Sequence, residues 1–138
     1  MIRATAMSAA AMVLLAACGS DLAPREIATL DGAWEGDYRR DQGDERQCPA
    51  RIRFQLMIQG GSVAGEAYDV RAPAVKASFE SFVETDGQMF LDARIAGDVM
   101  HLSGRFRTGG FGGTDFRGEG RSERRCRGPF ELTRARGR

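Results

Sequence analysis

The sequence predicts an all-β domain, a single eight-stranded antiparallel up-and-down barrel, with a two-sheet β-sandwich as the alternative. Three observations carry this. Residues 48 to 59 alternate strictly, with Ile52, Phe54, Leu56 and Ile58 on one face and Arg51, Arg53, Gln55 and Gln59 on the other, the period of a half-buried strand. Glycine-containing turn signals recur at short, regular intervals from Gly60-Gly61 onward, as in a β-meander. No long stretch carries a helical period, so no crossover helix is available to join parallel strands.

The strands follow in order. The first is 32 to 38, GAWEGDY, and a charged loop, RRDQGDERQ, leaves it. The second is 48 to 59, ending at Gly60-Gly61. The third is about 62 to 68, and a Pro-containing loop, 69 to 75, leads to the fourth, 76 to 84, where Phe79 and Val83 share a face. Asp86-Gly87 turns into the fifth, 88 to 96, with Met89, Leu91 and Ile95 inward. Gly97-Asp98 turns into the sixth, 99 to 107, with Met100, Leu102 and Phe106 inward. The loop TGGFGGT precedes the seventh, 115 to 123, and the eighth, 126 to 134, turns Phe130 and Leu132 inward. An eight-stranded barrel has an interior just wide enough to be filled by side chains or to hold one small ligand. Gly65, Gly104, Gly118, Gly120 and Gly128 also fall on the inner face. They can admit bulky neighbours, relieve curvature, or leave a small cavity; a mostly filled barrel is expected.

Residues 1 to 17 hold one charge, Arg3, ahead of an apolar run that ends MVLLAA. The run has signal-peptide length and is too short to span a bilayer. Leu15-Ala16-Ala17-Cys18 then meets Gly19-Ser20-Asp21. This stretch resembles the lipobox of bacterial lipoproteins. The resemblance implies cleavage before Cys18, diacylglycerol on its thiol and acylation of the new amino group. It divides the chain into a signal peptide (1–17), a lipidated N-terminus and tether (18–30) and a barrel domain (31–138). Several acyl chains give stable anchoring, since each buried methylene contributes about 0.8 kcal/mol. Gly19, rather than Asp, after the cysteine points to an outer-membrane lipoprotein facing the periplasm. The other reading of the segment is an ordinary signal peptide carrying an incidental cysteine.

Gly32-Ala33-Trp34 opens the first strand and resembles the G-x-W of the calycins, the group of lipocalins, avidins and related barrels. The resemblance implies that Trp34 plugs one barrel end and that an Arg of the last strand, here Arg134, covers it as a cation–π pair. No helical pattern follows the eighth strand as in lipocalins, and their ligands are not carried over.

With Cys18 lipidated, Cys48 and Cys126 are left to pair in an oxidising compartment. Strands two and eight lie two positions apart, about 9.6 Å at the usual spacing, beyond the roughly 7 Å a disulfide can bridge. Cys48 is therefore expected in the loop folding over the end of the first strand, pinning 39 to 47 opposite Trp34.

Function is bounded mostly by exclusion. Twenty basic residues oppose nineteen acidic ones, so no nucleic-acid partner is expected; only Lys76 among the basic residues is lysine. Residues 105 to 138 hold ten Arg against four acids, either a stripe for phosphates or anionic headgroups or simply a solvated outer face. TGGFGGT lacks the following helix and the Lys-Ser/Thr pair of a phosphate loop. Its central Phe111 is either a contact point for a ligand or partner, or folds back on the barrel mouth. The single histidine, His101, points outward, no nucleophile elbow is present, and no zinc-like ligand spacing occurs. No enzyme activity, metal or cofactor is expected. The expected function is a non-catalytic binding module, anchored to the membrane by its N-terminal lipid, for a small apolar or amphipathic ligand. The alternative is a barrel that binds an envelope protein or inhibits an enzyme.

Overall fold

The computed structural model describes residues 24–108 and 113–136. Cys18 and Phe111 lie outside them. A short helix, α1 (Pro24–Ala28), precedes eight strands: β1 (Gly32–Arg39), β2 (Arg51–Gln59), β3 (Ser62–Asp69), β4 (Ala77–Phe82), β5 (Gln88–Ile95), β6 (Asp98–Thr108), β7 (Thr114–Ser122) and β8 (Arg127–Arg134). Every ladder is antiparallel, and the strands form one sheet in the order β4-β3-β2-β1-β8-β7-β6-β5. First and last strands pair, so the chain wraps round as an up-and-down barrel rather than splitting into two sheets. The architecture is consistent with a calycin-like fold. Closure is nearly complete: between β4 and β5 it rests on the Val83–Met89 bridge, the Glu84 N–H to Gln88 C=O bond of 2.8 Å and the Ser81 hydroxyl donating to the Phe90 carbonyl.

Several boundaries differ from the sequence expectation. β2 begins at Arg51 rather than Cys48, because residues 44 to 48 turn helically, with the Cys48 N–H on the Asp44 carbonyl at 2.8 Å. β8 begins at Arg127, since Ser122 to Cys126 forms a closed turn in which the Arg125 N–H reaches the Ser122 carbonyl. The β5–β6 turn is Ala96-Gly97, both at positive φ (51° and 78°), not Gly97-Asp98. Two positive φ values make the two-residue hairpin whose twist matches the strands. Asp98 is thereby the first residue of β6, buried and inward.

The interior is filled. An aromatic chain crosses it: Trp34 to Phe106 at 5.0 Å between centroids, Phe106 to Phe116 at 5.0 Å, Phe116 to Phe130 at 5.4 Å, Phe130 to Phe54 at 4.8 Å and Phe54 to Phe79 at 5.9 Å. The angles between the rings run from 53° to 74°, the edge-to-face range that aromatic pairs prefer. Ile52, Ile58, Met89, Leu91, Met100, Leu102 and Leu132 fill the rest, all buried. The inner glycines make room for this packing rather than for a ligand. A Cβ on Gly120 would stand 2.6 Å from the Tyr38 ring. On Gly36 it would stand 1.8 Å from the Glu131 carbonyl oxygen, so β1 and β8 approach closely there because no side chain intervenes.

Candidate functional site

The barrel has two unlike ends. At one, α1 and the residues after it lie over the mouth. Trp34 donates its indole N–H to the Leu30 carbonyl at 2.7 Å. Arg134 stands opposite Trp34 in the β1–β8 register, with its guanidinium 4.8 Å from the indole ring. The same guanidinium donates to the Asp31 carbonyl at 3.0 Å and to the Thr29 carbonyl. One arginine thus stacks on the tryptophan and ties down the segment leading into β1.

The opposite end is closed by covalent and polar devices. Cys48 and Cys126 form a disulfide, with Cα atoms 5.5 Å apart. The loop between β1 and β2 folds over the start of β8: Asp41 and Gln42 N–H groups both donate to the Arg127 carbonyl, and Arg127 N–H returns to Gln42. The bond therefore pins this loop opposite Trp34, where the topology requires it. Inside this end two polar groups, the Tyr38 hydroxyl and Oδ2 of Asp98, have no hydrogen-bond partner among the described residues. Burial first, then the negative charges of Asp41 and Asp98 against the lowering effect of Arg40, push the Tyr38 hydroxyl up to about 12. Sequence reasoning placed Asp98 in a turn and missed this pair. The available signal was the alternation Asp98, Met100, Leu102, which puts Asp98 in phase with the core.

The outer wall carries the charge. On β1 and β2, Asp37 accepts from Arg51 at 2.7 Å and Arg53 at 3.3 Å, and Arg53 also reaches Glu35 at 3.2 Å. The Asp37 side chain is only 13% exposed. Its hydrogen bond and charge raise the Arg51 pKa above its ordinary value. This network floors a groove of about 410 Å³, with Arg39, Pro129, Glu131 and Thr133 at its sides. The groove is polar and open, unlike the apolar pockets that bury small ligands. His101 points outward and meets Asp92 at 2.7 Å. Glu66 and Glu80 are exposed on strands. Among the described residues no three His, Cys, Asp or Glu converge as metal ligands.

Comparison of the chain with protein-family models, with curated proteins and with solved structures gave no match. The reading of function rests on this geometry.

Four of the ten arginines in residues 105 to 138 pair with carboxylates within the wall. Arg105 pairs with Asp86, Arg117 with Asp115, and Arg121 and Arg127 both with Glu119. At the Trp34 end the notch lined by Leu30, Phe106 and Thr114 measures about 100 Å³, well under the 300 Å³ or more usual for a ligand pocket. The described residues therefore give no support to an apolar ligand held at the mouth. Two exposed aromatics complete the surface, Phe82 on β4 and Phe90 on β5. Both were legible: Phe82 is out of phase with Phe79 and Val83, and Phe90 stands between Met89 and Leu91, so strand alternation turns each aromatic outward.

Proposed function

We propose that this chain is a cell-envelope lipoprotein, acylated at Cys18, whose barrel is a rigid, non-catalytic interaction module working through its outer surface. The observation that carries the surface reading is the contrast between an interior filled by aromatic rings and a wall bearing a half-buried charge network beneath an open groove. A binding module needs shape and fixed charge, and the groove supplies both. Glu35, Asp37, Arg39 and Arg53 offer donors and acceptors held by strands rather than loops, a preorganised arrangement. This favours the protein-interaction alternative over a small apolar ligand. The anchor and its compartment rest on the lipobox resemblance of residues 15 to 18, and an oxidising envelope accounts for the Cys48–Cys126 bond.

Fractionation tests the reading. The wild-type chain expressed in its own host should sediment with membranes, and C18S should move to the soluble periplasmic fraction. Chemical cross-linking from the groove should then recover one recurrent protein partner, lost in R53E with the disulfide intact. A C18S chain that stays on membranes contradicts the anchor; an R53E variant that keeps the same cross-links contradicts the groove.

A further inference from the structure

The strand directions place the exposed aromatics. β4 ends at Phe82, and the β4–β5 turn that follows lies at the Trp34 end, as do α1, the β2–β3 turn and the end of β8. The Val83–Met89 bridge is antiparallel, so Phe82 and Phe90 stand directly opposite each other across the nearly closed seam. They are 62% and 54% exposed. Cross-strand neighbours of this kind have Cβ atoms about 5 Å apart, so the two rings form one surface. Scattered single apolar residues are ordinary on a surface; two exposed aromatics facing each other across a seam mark a place for contact.

Chain length says what covers it. Five residues, 19 to 23, separate Cys18 from the start of α1 at Pro24, six Cα–Cα steps in all. Fully extended they reach about 20 Å. Given the Cys18 anchor proposed above, on which this inference rests, the start of α1, at the Trp34 end, can lie no farther than that from the acyl chains. A second copy fits the patch poorly. The rim holds Glu80, Glu84 and Asp92, and a two-fold axis through the rings would set these carboxylates against their own copies. A zwitterionic bilayer surface carries no such penalty, and aromatic rings settle well at the headgroup level.

We propose that Phe82 and Phe90 rest in the headgroup region of the membrane that holds the N-terminus. The lipid and the patch form a two-point attachment that fixes the barrel's orientation, with the disulfide end presented to the periplasm. The tether raises the local concentration of bilayer, so a patch too weak to bind alone is sufficient. Because the rim is acidic and Arg105 is engaged by Asp86, the contact is apolar and insensitive to salt.

The test uses residues 18–138, which contain every described residue, coupled through the Cys18 thiol to vesicles of dioleoylphosphatidylcholine doped with a maleimide lipid. This reproduces the tether whether or not the cell acylates Cys18. F82W reports the patch, and E123W, in the turn before the disulfide, reports the far end; the buried Trp34 gives a constant background. Brominated lipid should quench F82W about twofold, as for a ring 5–10 Å into the headgroup–acyl boundary, and leave E123W unchanged, at low and high salt alike. Equal, negligible quenching of both variants overturns the proposal. So does an F82W shift that depends on surface density without bromolipid quenching, which would assign the patch to a second copy. The mass of the Cys18 peptide from native envelopes tests the anchor separately.

Discussion

Tyr38 concentrates the conflict between packing and polarity in this barrel. Its ring fills the space left by Gly120, while its hydroxyl lies buried without a partner near Asp98. An unsatisfied buried hydroxyl costs about 1–3 kcal/mol. Y38F keeps the ring and removes that cost, so it should stabilise the protein by about 1 kcal/mol in urea denaturation at pH 7. The same residue sets an alkaline limit. The folded protein holds the Tyr38 proton to about pH 12, whereas an unfolded tyrosine releases it near pH 10. The contribution is intact below pH 10 and is lost as pH rises from about 10 to 12, because the unfolded chain then binds fewer protons. Urea midpoints across that window should fall less steeply in Y38F than in the wild type. An equal slope in both would remove Tyr38 from the alkaline transition. The sequence marked Tyr38 only as the last residue of its first strand. Its isolation depends on Gly120 and Asp98, which are far away in the chain and meet it only in the closed barrel.

Among the elements, the two ends are held by different means and should fail differently. The disulfide closes a 78-residue separation. Its removal in C48S/C126S should cost about 4–5 kcal/mol in the chain-entropy model, less where the unfolded chain stays compact. Hydrogen exchange should rise first in residues 40 to 48, whose backbone bonds to Arg127 the disulfide holds in place. At the other end, R134A removes the stacking on Trp34 and two carbonyl bonds, a loss of about 1–2 kcal/mol. R134K should recover less than half of it, since an ammonium lacks the planar fork. Exchange at Leu30 to Trp34 should rise in both variants while residues 40 to 48 stay protected. The strands themselves were largely legible, because alternation in 51 to 59, 88 to 95 and 98 to 106, broken outward only by Met57, Phe90 and Val99, leaves one register that buries most of the apolar set. The misplaced starts of β2 and β8 have one cause. Each lies beside a cysteine whose inward parity resembled a strand residue, whereas the disulfide holds both in turns.

The whole molecule is a polar-walled, aromatic-filled barrel, the inverse of barrels whose strands present an apolar band to lipid. Exposed Arg94, Arg117, Glu66 and Glu80 stand where such a band would be. Closure itself was legible, since eight alternating segments joined by tight turns have few other ways to bury one face each. The groove was not. It is built from β8, β1 and β2, and its floor depends on Glu35, Asp37 and Arg53 meeting across a register that no local pattern states. In sequence these residues read as an ordinary solvated face. Native mass spectrometry of the protein purified from its own envelope tests the acylated Cys18 and the filled interior together. The expected species begins at Cys18, is heavier by its acyl groups and lighter by the two hydrogens of the Cys48–Cys126 bond, and is free of any small apolar ligand after detergent release. An unmodified Cys18, or a stoichiometric apolar ligand that survives desolvation with the folded barrel, would contradict the proposed function.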